Sequence, residues 1–187
     1  VYNVSDASEA TLLWENGAEK SEQVVMIPAE LDGYAVTTLG DGAQNVLSNN
    51  KIASNFVLIP TSVTTINERS IYDYNDTAGW VFPGTITTIA ENSLLSSQGG
   101  VYYVEQGSAV ESYVATTGKS SAYLTPEGYR IFTVTAGENG YVQPNGTYYL
   151  PVEMLDGTYA RNISIVADIG YKIASVTIDG AAYDFLN

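Results

Sequence analysis

The chain has no cysteine and no histidine among its 187 residues. Thiol nucleophiles, Ser–His and Cys–His couples, zinc sites built on either ligand and imidazole acid–base catalysis are therefore excluded. The lack of cysteine also means that no disulfide stabilises the fold, which is compatible with any cellular compartment. We predict no catalytic residue, no cofactor and no metal site, and we expect that the chain is not an enzyme.

Positive charge is scarce as well, because 7 Lys and Arg residues stand against 21 Asp and Glu residues, for a net charge of −14. Such a chain repels phosphate backbones and anionic lipid head groups, so we expect no binding to nucleic acid. No apolar run of about 18 residues is present, and we predict no membrane insertion for this sequence. Hydrophobic residues make up 45% of the chain, which is enough to build a folded core.

What the first half does contain is a repeated frame. Three segments share an apolar–x–apolar–Pro stretch followed by V/I-T-T-L/I, and they span 25–43, 57–70 and 80–93. One coil of this length cannot bury its apolar side alone and must stack on the next coil, so the pattern predicts a solenoid. Four columns are apolar in every copy: Val25/Val57/Trp80, Ile27/Ile59/Phe82, Val36/Val63/Ile86 and Leu39/Ile66/Ile89.

The frame I-P-x-x-V-T-T-I-x-x-x-S/A resembles the BspA-type leucine-rich repeats of bacterial cell-surface proteins, over about residues 10 to 118. The resemblance implies a secreted or surface-displayed solenoid. The family usually has Ala-Phe after the polar turn, and this chain departs from that pattern. The corresponding pairs here are Ala43-Gln44, Ser70-Ile71 and Ser93-Leu94. We therefore expect a looser core at this corner.

Both ends of the solenoid carry candidate caps. Residues 10–14 are a strand-like run before the first coil, and residues 101–104 are a short strand after the third. Ser108 and Glu111 then have capping-box spacing, and Gly118 suits the position just after a helix. We predict a terminal helix between Ser108 and Gly118, laid over the last coil, and similar segments often end the arrays of the family.

The composition changes after residue 118. Residues 119–129 contain a cluster of strand and helix breakers and are predicted to be a linker, and residues 130–187 are predicted to form a small all-β, sandwich-like module. The stretches V-T-A-G-E-N-G-Y-V-Q-P-N-G-T from Val134 and D-I-G-Y-K-I-A-S-V-T-I-D-G from Asp168 resemble modules related to the internalin B-repeat. Such modules usually continue with another aromatic strand, so we expect a shortened or truncated copy here.

The predicted fold is therefore mainly β, with a leucine-rich-repeat solenoid of about three coils and its caps in 1–118, ahead of the β module. Aromatic rings offer ligands an apolar face and a polar handle. The candidate ligand-contact aromatics are those that the repeat constrains least: Tyr72, Tyr74, Tyr102 and Tyr103. Residues 73–77 gather oxygen donors without the spacing of a dedicated calcium loop, which favours a solvated turn.

These features predict a non-catalytic binding module, secreted or on the cell surface, that recognises a protein or glycan of a host or neighbouring cell in adhesion. Fold-level resemblance carries this expectation and leaves the ligand open. The alternative is an accessory or spacer region of a larger secreted enzyme. The chain opens at Val1 without an initiator Met or an apolar leader, which favours a mature or trimmed sequence whose export signal has been removed.

Overall fold

A computed structural model gives the fold and describes residues 2–4, 8–12, 24–43, 47–48, 56–72, 79–95, 100–155 and 162–184. Within these residues the chain is mainly β, and its first half is a stack of about three coils. Each coil contributes a strand to each of three sheets, coil 1 adds a second strand to one of them, and equivalent strands of successive coils pair in parallel. The predicted stacked-coil architecture is thereby confirmed.

Two strands precede the coils, and they are β1 (Tyr2–Val4) and β2 (Glu9–Leu12). Coil 1 contains β3 (Val24–Met26), β4 (Glu30–Leu31), β5 (Tyr34–Leu39) and β6 (Leu47–Ser48). Coil 2 contains β7 (Phe56–Leu58), β8 (Thr65–Ile66) and β9 (Ile71–Tyr72). Coil 3 contains β10 (Gly79–Val81), β11 (Thr88–Ile89) and β12 (Leu94–Leu95).

The chain then forms β13 (Val101–Val104), a helix α1 (Ala109–Thr117) and β14 (Ser121–Tyr123). We name the three coil sheets A, B and C. Sheet A has the order β1-β2-β5-β8-β11 with β4 beside β5, sheet B the order β3-β7-β10-β13-β14, and sheet C the order β6-β9-β12. Their pairing is parallel except at β1–β2 and β4–β5, so the coils advance in one direction along the solenoid.

The apolar columns of the repeat form the core of the solenoid, as predicted. Every member of the four columns is buried except Ile89, which is partly buried against the same core. Main-chain hydrogen bonds join the coils at the threonine pairs, because Thr64 N–H donates to Thr37 O at 2.9 Å and Thr87 N–H donates to Thr64 O at 3.0 Å. Column burial and ladder bonding thus hold the same register from coil to coil.

The corner after the polar turn is closed in coils 2 and 3, and the expectation of a looser core there is wrong. Ser70 and Ser93 are fully buried. The Ser70 hydroxyl donates to Leu39 O of coil 1 at 2.7 Å, and the Ser93 hydroxyl lies 3.4 Å from Ile66 O of coil 2. The next residue in each coil is a buried aliphatic side chain: Ile71 and Leu94. A hydroxyl-to-carbonyl bond and a branched aliphatic group therefore close this corner in coils 2 and 3.

The predicted terminal helix is confirmed as α1. The Ser108 hydroxyl accepts the Glu111 N–H at 3.1 Å, and the Glu111 carboxylate accepts the Gly107 N–H at 2.6 Å, so two N-terminal amides of the helix region are satisfied. Gly118 ends the helix with φ of 68°, a left-handed conformation that glycine adopts without strain. Two valines of the helix are buried in the solenoid core: Val110 and Val114.

The segment that follows the helix differs from the predicted linker. Residues 121–123 form β14, which pairs in parallel with β13 and extends sheet B by one strand. Leu124 continues this attachment, because its N–H donates to Val104 O at 2.9 Å and its side chain is buried. The free edge of β13 offers unpaired main-chain groups, and a short polar segment gains strand structure by bonding to them.

Beyond β14 the chain forms three antiparallel strand pairs, which are β15 (Tyr129–Val134) with β17 (Gly146–Pro151), β16 (Gly140–Gln143) with β18 (Ser164–Ala167), and β19 (Val176–Ile178) with β20 (Ala181–Tyr183). A 3-10 helix (Val152–Leu155) follows β17. The turn before β16 has Asn139 at φ of 63°, and it does not join paired strands, because β15 pairs with β17 and β16 pairs with β18.

Candidate binding surfaces

A second apolar cluster forms where strands β15 to β17 pack on the outward face of sheet B, so strands β3, β7 and β10 are buried on both sides. Its solenoid members are Val24, Met26, Phe56, Leu58, Val81 and Leu124, and its members beyond the solenoid are Val134, Val142, Tyr148 and Met154. We call this contact the junction.

Strand β17 crosses the coils instead of running along one of them. Asn145, just before β17, accepts the Ala29 N–H of coil 1 at 2.9 Å through its main-chain oxygen. Two residues later, Thr147 O accepts the Thr61 N–H of coil 2, also at 2.9 Å. Ala29 and Thr61 each follow the proline of their coil. The turns after these prolines therefore provide a row of amides to which the crossing strand bonds.

Two side chains add to this attachment. The Asn145 side-chain oxygen accepts the Glu30 N–H at 3.0 Å. The fully buried Tyr148 hydroxyl donates to Ile27 O of coil 1 at 2.7 Å. These bonds join residues more than one hundred positions apart in the sequence, and they fix the C-terminal strands on the first coil.

In coil 3 the equivalent amide has a different acceptor. The Gly84 N–H donates to the Glu105 carboxylate at 2.7 Å. Burial raises the pKa of the nearby Tyr149 hydroxyl, and the negative charge of Glu105 raises that pKa further. The Tyr149 ring stacks on Tyr129 with centroids 4.7 Å apart. Partly buried aromatic side chains therefore close the junction at this end.

Two of the four predicted ligand-contact tyrosines lie in packed positions. Tyr102 is 1% exposed and stacks on Phe82 with centroids 5.8 Å apart and an angle of 9° between the rings. A ligand at the surface has no access to this ring, so Tyr102 is a core residue. Tyr103 points to the opposite face of β13, where its ring packs against Phe56 and its hydroxyl donates to Glu153.

The other two predicted tyrosines lie near the end of coil 2. Tyr72 is the second residue of β9, where its main chain pairs with β6 and β12. Tyr74 and the oxygen-rich segment 73–77 lie outside the described residues. Of the predicted residues whose side chains are described, the structure thus brings Tyr102 and Tyr103 together on adjacent positions of one strand, facing opposite ways.

The solvent-facing side chains of sheet A form a regular polar column. Thr11 of β2 and then Thr38, Thr65 and Thr88 of coils 1, 2 and 3 occupy paired positions on adjacent strands. Parallel strands are about 4.8 Å apart, so similar hydroxyl groups recur at that interval. This column is a surface of constant chemistry along the solenoid axis.

A second column lies at the corner that follows sheet A, and it is acidic. Asp41, Glu68 and Glu91 occupy equivalent turn positions in coils 1, 2 and 3, and all three are exposed. The next residue has a left-handed backbone in each coil, at Gly42, Arg69 and Asn92, with φ of 81°, 57° and 60°. The repeated turn therefore presents one carboxylate per coil to solvent.

One carboxylate outside this column has a defined partner. The Tyr123 hydroxyl of β14 donates to Glu111 at 2.6 Å and, together with the Gly107 N–H, lowers the pKa of that carboxyl below its usual value. The same bond raises the pKa of the Tyr123 hydroxyl. It links the helical cap to the last strand of sheet B, so it belongs to the closure of the solenoid.

Among the described residues, no three acidic side chains are grouped in a way that would hold a metal ion. In the same part of the chain, no helix has the length and apolar character required to cross a bilayer. A scan against protein-family models and searches of curated proteins and of solved structures find no match for the chain. The assignment of function therefore depends on the surfaces described above.

Proposed function

We propose that this chain is a non-catalytic recognition module of a secreted or cell-surface protein, with a role in adhesion. The observation that carries the proposal is the regular outer surface of the coils, in which a partly exposed threonine column and an exposed acidic column repeat the same kind of group coil after coil. A partner that spans several coils makes the same contact several times, which is how solenoid proteins build extended binding surfaces.

The coils are proposed to be leucine-rich repeats of the BspA type, and the strands beyond β14 a small β module related to the internalin B-repeat. Support for the first assignment comes from the Pro and Thr-Thr positions, which recur at the same places in each coil around a shared core. Support for the second comes from the two sequence stretches that begin at Val134 and Asp168. Both families occur on exported bacterial proteins, which favours the proposed location.

The proposed partner is a protein or glycan on a host or neighbouring cell. The net charge of −14 and the acidic column favour neutral or basic partners and disfavour nucleic acid. A screen of the purified chain against matrix proteins, mucins and glycans tests the proposal, and we expect saturable binding to at least one of them. Absence of binding to every member of the screen would overturn it.

The binding face is tested by reversing one charge in the acidic column. Glu68→Lys changes the middle carboxylate of the column, and Glu127→Lys changes a similarly exposed carboxylate outside it. If the partner contacts the coils, Glu68→Lys weakens binding and Glu127→Lys leaves it unchanged. Equal effects of the two substitutions would show that only the overall charge matters and that the column is not the binding face.

A specific observation also favours the alternative, in which the chain is an accessory or spacer region of a larger secreted enzyme. The junction bonds hold strand β17 on coils 1 and 2, which fixes the position of this strand relative to the solenoid. A spacer that sets the distance between two flanking domains requires such rigidity. No binding in the screen, together with loss of activity on substrates bound to a surface when the chain is deleted from the longer protein, would favour this alternative.

A further inference from the structure

Tyr141 lies on β16 between two surface grooves, and neither groove is part of the binding surfaces proposed above. Its neighbour Val142 is buried in the junction, so strand alternation turns Tyr141 away from the solenoid, and its side chain is 52% exposed. The two grooves have volumes of about 570 Å³ and about 400 Å³, and Tyr141 lines both. Both volumes lie in the range of about 300–1,000 Å³ that is usual for small-molecule sites.

The larger groove is rich in exposed polar side chains. Within the described part of the chain, none of the following six makes a side-chain hydrogen bond or ion pair: Thr135, Glu138, Asn139, Lys172, Ser175 and Thr177. The Tyr141 hydroxyl is likewise unbonded in the described residues. Hydroxyl and amide groups both donate and accept hydrogen bonds, the carboxylate accepts, and the ammonium donates. The groove therefore suits a ligand that carries many hydroxyl groups.

The wall of the groove beside Tyr141 is held by main-chain contacts. Asp168 N–H donates to Asn139 O at 3.0 Å, and Tyr141 pairs with Val166 of β18. A Cβ at Gly140 would lie 2.6 Å from Val166 O, so the two strands approach closely because this position is glycine. The ring and the adjacent polar groups thus stand on paired strands, a support that fixes their relative positions before a ligand binds.

We propose that this face is a binding site for a neutral glycan, with a sugar ring stacked on Tyr141 and its hydroxyl groups bonded to the polar side chains of the larger groove. The proposal deepens the recognition function above and depends on it. An exposed tyrosine ring gives the apolar face of a sugar a flat surface and keeps a polar group at its tip. Glu138 and Lys172 carry opposite charges, so the groove is close to neutral, while the net charge of −14 repels acidic glycans.

The test is the retardation of the full chain in native gels that contain a neutral polysaccharide, with calorimetry on the oligosaccharides derived from it. The panel consists of mannan, a β-glucan and xylan, and of heparin and polygalacturonate as acidic comparisons. We expect binding to at least one neutral polysaccharide and none to the acidic ones. No binding to any neutral member, or binding to the acidic ones alone, would overturn the proposal.

Substitutions test whether the glycan site lies at Tyr141 and the larger groove. Tyr141→Ala removes the stacking surface and is expected to weaken binding about tenfold, whereas Tyr141→Phe keeps the ring and retains most of the affinity. Tyr183→Ala is the matched control, because Tyr183 is 54% exposed and lines neither groove. Lys172→Ala, on the opposite wall of the larger groove, is expected to weaken binding several-fold. Thermal unfolding of each variant verifies that the fold is intact.

The outcomes separate this site from the general recognition function. Equal losses in Tyr141→Ala and Tyr183→Ala, or no loss in Tyr141→Ala, would overturn the glycan site. If the glycan site fails in one of these ways but the variants still bind a protein partner found in the screen, the recognition function stands without the glycan site. Loss of both activities in Tyr141→Ala and Lys172→Ala, with both retained in Tyr141→Phe and Tyr183→Ala, would assign both to the groove.

Discussion

Replacing Tyr148 by phenylalanine removes a single hydroxyl group from the junction. The side chain is fully buried, and its hydroxyl donates to Ile27 O at 2.7 Å and also lies within bonding distance of Asn145 O. Phenylalanine keeps the volume of the ring, so the substitution creates no cavity of appreciable size. What changes is the number of donors available to two carbonyl groups at the boundary between coil 1 and the C-terminal strands.

Loss of a buried hydrogen bond that leaves an acceptor without its donor costs about 1–3 kcal/mol. If the urea dependence of the unfolding free energy is about 2–3 kcal/mol per molar, the midpoint of unfolding falls by roughly 0.3–1.5 M. For a chain of this size each kcal/mol lowers the melting temperature by roughly 2–4 °C. The expected decrease is therefore about 2–12 °C, which is well resolved by calorimetry.

Urea unfolding followed by circular dichroism and by intrinsic fluorescence is the primary assay. The solenoid and strands β15 to β17 share one apolar cluster, so we expect one transition that both probes report. Tyr183→Phe is the control, since it removes an exposed hydroxyl and should leave the midpoint unchanged. Faster amide exchange at Ala29 and Thr61 in Tyr148→Phe would locate the weakening at the crossing strand. An unchanged midpoint, or two separate transitions in the parent protein, would refute this reasoning.

Three further predictions concern the corner, the packing under the junction, and the helical cap. Ser70→Ala removes one of two donors to a carbonyl of the preceding coil and should lower the unfolding free energy by about 1 kcal/mol in urea titrations. Gly79→Ala places a Cβ in steric conflict with the Phe56 ring and should cost about 1–3 kcal/mol, whereas Gly137→Ala, with no atom within 4 Å of the added Cβ, should be neutral. Equal melting temperatures of the two variants would contradict this. Because the bond from Tyr123 lowers the pKa of Glu111, it adds stability at neutral pH that is lost as the pH falls through the acidic range. Tyr123→Phe should raise that pKa toward its usual value, as NMR titration would show.

The core of the solenoid follows closely from the sequence. The columns that begin with Val25, Ile27, Val36 and Leu39 repeat the same kind of side chain at equivalent places, and stacking is the only arrangement that buries all of them. The helical cap is also predictable, because capping residues and a terminal glycine act over a few neighbouring positions. Both features depend on local or strictly repeated patterns.

The repeat frame alone does not predict the junction, although the sequence carries a pattern typical of it. The first strand of each coil is apolar on consecutive positions, as in V-V-M-I and F-V-L-I, and such runs are typical of strands buried on both faces. The alternation of this strand predicts that Val25 and Ile27 lie in the solenoid core. It does not explain why Val24 and Met26 are apolar as well. Those two side chains pack under strands β15 to β17 and belong to the apolar cluster of the junction.

The candidate aromatics were harder to assign, because exposure of a tyrosine depends on what covers it. Tyr102 and Tyr103 are adjacent in the sequence, and one enters the solenoid core while the other enters the junction. Tyr141 lies outside the repeat. Its side chain is exposed because the neighbouring Val142 is buried in the junction, which turns Tyr141 toward solvent. Contacts between positions far apart in the chain decide these cases, and no local pattern contains them.

The path of β17 across the coils bears on how such an array evolves. Repeat proteins commonly gain or lose whole coils, since each coil touches only its neighbours. Here the chain leaves the solenoid at its far end, beside β13, and returns to bond with Ala29 in coil 1 and Thr61 in coil 2. An inserted or deleted coil would shift one set of these contacts by about 4.8 Å relative to the other. Because β17 is bonded to two coils, the length of the returning segment must match the number of coils. Duplication of a coil would therefore have to be accompanied by a change in the length of that segment.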